Sequence, residues 1–144
     1  MALTCPHIIW RIYPFSLSKH CFTDSFEFGG CYWQWEYFVQ SDNDNEVPDD
    51  IISIYLRRLT NSSVSSLKTF CTTASIRDSL GEQHALRKKN HEISPLVSWC
   101  VWKKSKSYIF AHEVIENNGC AFSLTLEPLD HVEYAKSLKQ EGKK

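Results

Sequence analysis

The side chains able to do chemistry in this sequence fall into a few groups, and each can be tested against the spacing its chemistry needs. Six cysteines stand at Cys5, Cys21, Cys31, Cys71, Cys100 and Cys120. A thiol becomes a nucleophile where a helix N-terminus or a nearby cation lowers its pKa. Cys31 instead follows Gly29-Gly30 and enters a strand-like run, so packing is the better reading. Cys5-x-His7 and His20-Cys21 carry metal-ligand chemistry, but a structural zinc site wants two ligand pairs at short spacing, and no C-x-x-C occurs. The acidic run Asp42, Asp44, Glu46, Asp49 and Asp50 fails as a calcium loop. Val47 stands where that loop needs glycine, and Ser53 where it needs a bidentate glutamate. No metal and no cofactor is expected. Serine-nucleophile motifs and phosphate-cradling glycine loops are absent, so no catalytic residue is assigned.

Two basic clusters remain, Arg87-Lys88-Lys89 and Lys103-Lys104-Ser105-Lys106, the second beside Trp99 and Trp102. Cations next to aromatics suit single-stranded nucleic acid, through phosphate neutralisation and base stacking. The net charge of −1 argues against a nucleic-acid partner, because dedicated binders carry strongly basic domains. Two alternatives to a binding module therefore stay open. One is a thiol-dependent enzyme using Cys31 or Cys100 with a histidine. The other is a single-stranded nucleic-acid binder using Lys103, Lys104, Lys106 and Trp102.

The elements that must position these residues follow from the patterning. The chain has 144 residues, is 42% hydrophobic and 13% aromatic, and so can bury one sizeable core without disulfides. No apolar run is long enough to cross a bilayer, and no secretory pattern opens the sequence, so reduced thiols and a cytoplasmic or nuclear location are expected. Through most of the chain the apolar period is 2. Strands are expected at 7–12, 32–40, 51–58, 67–77, 83–89 and 121–129. Ser25 to Phe28 leads into the Gly29-Gly30 turn, and a break falls at Asp78 to Gly81. In Ile51 to Arg58 the alternation puts Ile52, Ile54 and Leu56 on one face and Tyr55 on the other. Tyr108 to Ile115 reads as a short helix or a strand. Asp130 to Glu141 reads as a helix, opened by a capping-type residue and carrying Val132, Ala135 and Leu138 on one side. Short strands at regular spacing predict an all-β, antiparallel sandwich of seven or eight strands, with a short helix and a helical C-terminal tail.

One longer pattern runs through the first sixty residues: Trp10-x-Ile12, Phe15-Ser16, then Ser25, Phe26, Gly29, Gly30 and Trp33, then Ile52-Ser-Ile-Tyr-Leu56. It resembles the MATH domain, the TRAF-like sandwich of meprins, TRAF adaptors and speckle-type POZ proteins, and is most similar to the last of these. Ser75-Ile76 with Gly81-Glu82, and later Trp99, extend the likeness more loosely. The resemblance implies a domain over 5–129 with a tail over 130–144. It implies a non-enzymatic interaction module that binds short extended peptide segments of partner proteins, in ubiquitin-ligase or signalling-adaptor settings. Self-association is left open, and no membrane partner is implied. Carried over by position, the peptide groove would comprise Tyr55, Ala74, His91, Trp99 and Val101. Ala74 and Val101 stand where phenylalanines are usual, His91 where a tyrosine is, and Cys100 where a glycine follows the tryptophan. Tyr55 and Trp99 are expected to share an exposed patch, with His91 at its rim titrating near 6.5.

Overall fold

A computed structural model of the chain describes residues 6–15, 19–40, 50–59, 69–78, 80–92, 98–111 and 119–129. Nine strands and one short helix lie among them: β1 (His7–Ile12), β2 (His20–Phe22), β3 (Phe26–Phe28), β4 (Cys31–Gln40), β5 (Ile51–Arg58), β6 (Thr69–Arg77), β7 (Gln83–Glu92), β8 (Ser98–Ser105), α1 (Lys106–Ala111) and β9 (Cys120–Pro128). Every strand pairing is antiparallel. One sheet has the order β1-β9-β6-β7. The other runs β2-β4-β5-β8, with β3 pairing β4 beside β2. The all-β antiparallel expectation therefore holds, with more strands than the seven or eight anticipated. The expected C-terminal helix and nearly all of the acidic run lie outside the described residues.

Alternation explains the layers. In β4, residues 31, 33, 35 and 37 are buried and 32 and 38 exposed, so Trp33, Trp35 and Tyr37 fill the space between the sheets. From the facing sheet come Phe70, Ile76, Phe122, Leu124 and Leu126. Trp10 and Phe26 are only partly buried and pack against this core. Buried indoles need an acceptor for their N–H. Trp33 Nε1 donates to the Phe28 carbonyl and Trp102 Nε1 to the Ala85 carbonyl, both at 2.8 Å. Gly29 and Gly30 have φ of 62° and 82°, the pair of left-handed residues that a two-residue hairpin turn between β3 and β4 requires.

β2 has no counterpart in the patterning, because three residues are too few to show a period. Three residues, Thr23, Asp24 and Ser25, separate it from β3, and Thr23 keeps the broken edge attached. Thr23 N–H donates to the Trp35 carbonyl, Trp35 N–H donates to Thr23 Oγ1, and Gln34 Nε2 donates to the Thr23 carbonyl. No described helix is long and apolar enough to cross a membrane.

Candidate functional site

β7 and β8 each end a sheet on the same side of the sandwich, so two strand edges face each other across the seam. Two bulges shape that seam. In β7, Ala74 pairs with Arg87 and Ile76 with His84, leaving Ala85 and Leu86 opposite one residue of β6. Ala85 sits at φ 55°, a left-handed conformation that a Cβ disfavours. The kink turns its carbonyl toward the Trp102 indole, which pins β7 to β8. In β8, Ile54 pairs with Trp102 and Tyr55 with Cys100, so Val101 is the extra residue. Val101 and Trp102 are consecutive and both buried, as a bulge allows.

Between the pinned strands lies an open groove of about 580 Å³, walled by Lys88, Lys89, Asn90 and His91 on β7 and by Ser98, Trp99 and Cys100 on β8. Trp99 packs edge-on to Phe70 and tilted against Trp33, with centroids at 5.2 and 5.9 Å, so its ring forms the floor. His91 stacks on Phe70 at 5.0 Å, and its Nε2 is hydrogen-bonded to Thr72 Oγ1 at 2.9 Å. Lys89 Nζ reaches across and donates to the Cys100 carbonyl at 3.3 Å. The bond shows that this carbonyl points away from β5 and toward β7.

Of the five residues expected to form the groove, the structure brings together two, His91 and Trp99. Ala74 and Val101 cannot line it. Both have no exposed surface: Ala74 lies on the inward face of a central strand, and the bulge turns Val101 inward. Tyr55 and Trp99 do not share a patch. Tyr55 is opposite Cys100 on the outer face, whereas Trp99 is opposite the fully buried Leu56 and points between the sheets. Tyr55 borders the groove only through Cys100; its phenol is raised by burial, then by the Cys100 thiol. His91 is not a neutral-pH handle. Burial, reinforced by Lys89, lowers it to about 4. The groove residues that spacing alone left out are Asn90, Ser98 and Cys100, while Lys88 and Lys89 were visible only as a charge run.

The other candidate groups resolve into structure. Cys21, Cys31, Cys71, Cys100 and Cys120 carry free thiols, and burial raises Cys71 and pushes Cys120 up to about 12. His7 is bonded to Ser123 Oγ and His20 to Glu36. A cluster the sequence reading missed, Asp78, Glu82 and His84, has ligand-type atoms within 4.8 Å of one another. It clamps the β6–β7 hairpin. Asp78 Oδ1 accepts the N–H groups of Leu80 and Glu82, and Oδ2 is bonded to His84 Nε2, which chiefly lowers the Asp78 pKa.

Comparison with known proteins adds no relative: no family model matches the chain, and no curated protein does. The likeness to MATH domains therefore rests on the residues quoted above, and the functional argument rests on the groove.

Proposed function

We propose that the protein is a non-enzymatic module that binds an extended peptide segment of a partner protein in the groove between β7 and β8. The observation that carries this reading is the pair of open strand edges flanking an aromatic floor. An extended segment gains main-chain hydrogen bonds from a strand edge and specificity from pockets for alternate side chains. The Cys100 carbonyl, now capped by Lys89, is the acceptor that an incoming N–H would take over. Trp99 supplies apolar contact, and the two lysines on the wall favour acidic or polar side chains over basic ones. The MATH resemblance points to the same class of ligand, and places such a module in ubiquitin-ligase or signalling-adaptor settings.

A shallow groove with one aromatic anchor implies a Kd of about micromolar or weaker. The test is a screen of extended peptides read by tryptophan fluorescence, followed by titration of the best acidic peptide and of its lysine-substituted counterpart. The acidic peptide should bind more tightly, and the double variant Lys88→Glu, Lys89→Glu should reverse that order. Binding that ignores both changes would place the interaction elsewhere.

A further inference from the structure

Lys88 and Lys89 are neighbours on β7, yet both line the groove between β7 and β8. Consecutive side chains of a strand leave it on opposite faces. Lys89 is opposite Thr72, which is buried between the sheets, and Lys88 is opposite Thr73 on the outer side. Two ammonium groups therefore approach the open edge of β7 from its two faces and bracket whatever lies along it. Neither lysine is in an ion pair among the described residues. Asn90 and Ser98 add neutral donors to the same walls, and none of the residues lining the groove is a carboxylate. Residues 93–97, which join the two walls in sequence, are Ile-Ser-Pro-Leu-Val and carry no charge. The nearest acid in the sequence is Glu92, which is exposed and lies outside the lining.

The bond that Lys89 makes is a weak one for an ammonium. At 3.3 Å it is longer than usual, and its acceptor, the Cys100 carbonyl, is neutral. An anionic oxygen holds the same donor about twice as strongly. A carboxylate offers one charge and two oxygens. A phosphoryl group carries about −1.5 to −2 at neutral pH and three acceptor oxygens, which suits two ammonium groups arriving from two sides. The reach is short. Lys89 Nζ sits against the edge of β8, where a docked backbone would run, so the phosphate must hang close to that backbone. Phosphoserine and phosphothreonine meet this condition, whereas phosphotyrosine holds its phosphate a ring's length away.

Resting on the peptide-binding role proposed for this groove, we propose that it selects extended segments bearing a phosphorylated serine or threonine. Lys88 and Lys89 clasp the dianion. In doing so Lys89 leaves the Cys100 carbonyl, which then accepts an N–H from the segment. Recognition of the phosphate and uncapping of the strand edge are one event.

The probes are three degenerate peptide libraries, alike except for a central phosphoserine, serine or glutamate. The full chain is screened against each. The best phosphopeptide is then titrated by tryptophan fluorescence at constant ionic strength, in its phosphoserine, serine, glutamate and phosphotyrosine forms. The phosphoserine form should bind about tenfold or more tightly than the serine form, and about threefold or more tightly than the other two. Its advantage over glutamate should shrink below about pH 6, where the phosphate takes up its second proton. Lys88→Gln and Lys89→Gln, both at exposed positions, should each remove most of the phosphate preference. Lys89→Gln should leave binding of the serine form undiminished, because it uncaps the Cys100 carbonyl. A serine form that binds as tightly as the phosphoserine form overturns this proposal and leaves the peptide-binding role standing; binding of no form overturns both. Inorganic phosphate that displaces the phosphopeptide at concentrations near the peptide's own Kd assigns the groove to the free anion and overturns the proposal. So does a phosphate preference that survives the double variant Lys88→Gln, Lys89→Gln.

Discussion

Lowering the pH should unfold this protein partly through His91, and the size of the effect can be worked out. In the unfolded chain the imidazole titrates near 6.5. In the native groove, burial and Lys89 lower it to about 4. Between those values the unfolded state binds the extra proton, so stability rises with pH. The contribution is complete above about 6.5 and is lost as pH falls toward 4. Each pKa unit corresponds to 1.36 kcal/mol, so the full loss is about 3 kcal/mol, with about 2.5 kcal/mol gone by about pH 4.5. His91→Phe keeps an aromatic ring against Phe70 and removes the titration; the lost Thr72 hydrogen bond is a pH-independent offset. Urea unfolding followed by tryptophan fluorescence, on both proteins from neutral pH downward, gives the difference directly. The His20–Glu36 and His84–Asp78 pairs are present in both and cancel. Wild-type stability should fall relative to the variant as the pH drops. A difference that stays flat across that window would refute the burial argument for His91.

Other substitutions test the seam and the core by the same unfolding assay. Ala85→Gly should stabilise by about 0.5–1 kcal/mol, because the left-handed conformation at φ 55° penalises a Cβ by more than glycine's added chain entropy costs. Trp102→Phe should cost about 1–3 kcal/mol by removing the bond to the Ala85 carbonyl and part of a buried ring. Ile54→Ala, at a position with no exposed surface, should cost about 2–5 kcal/mol through the cavity it leaves. Gly30→Val should destabilise by about 1–2 kcal/mol although a Cβ there meets no atom within 4 Å, since the penalty lies in the backbone at φ 82°.

The layers were readable from period-2 alternation, because each strand such as Ile51–Arg58 declares its two faces locally. The groove was not. Its walls come from β7 and β8, and which of their residues meet depends on register and on two bulges, neither of which leaves a periodic trace. A single extra residue, Val101, sends Trp99 inward and Cys100 outward, and so separates Tyr55 from Trp99, which the MATH resemblance puts in one patch. His91 could be located by position, but its titration could not be foreseen, because its burial against Phe70 and Thr72 depends on the register of β7 on β6.

The pairing of β1 with β9 governs when this fold can exist during synthesis. His7 is bonded to Ser123, 116 residues later, and β9 also separates β1 from β6. Until β9 leaves the ribosome, β1 lacks the strand it pairs with, and β6 shows a bare edge where β9 will lie. At about 5–20 residues per second, that interval lasts several seconds or more. For this period β1 and β6 are open to pairing with other nascent chains or to capture by a chaperone. A stop codon or cleavage before β9 would make the interval permanent, leaving β1 unpaired and converting the interior strand β6 into a sticky edge. A strand that lines no part of the groove thus controls whether the molecule reaches it.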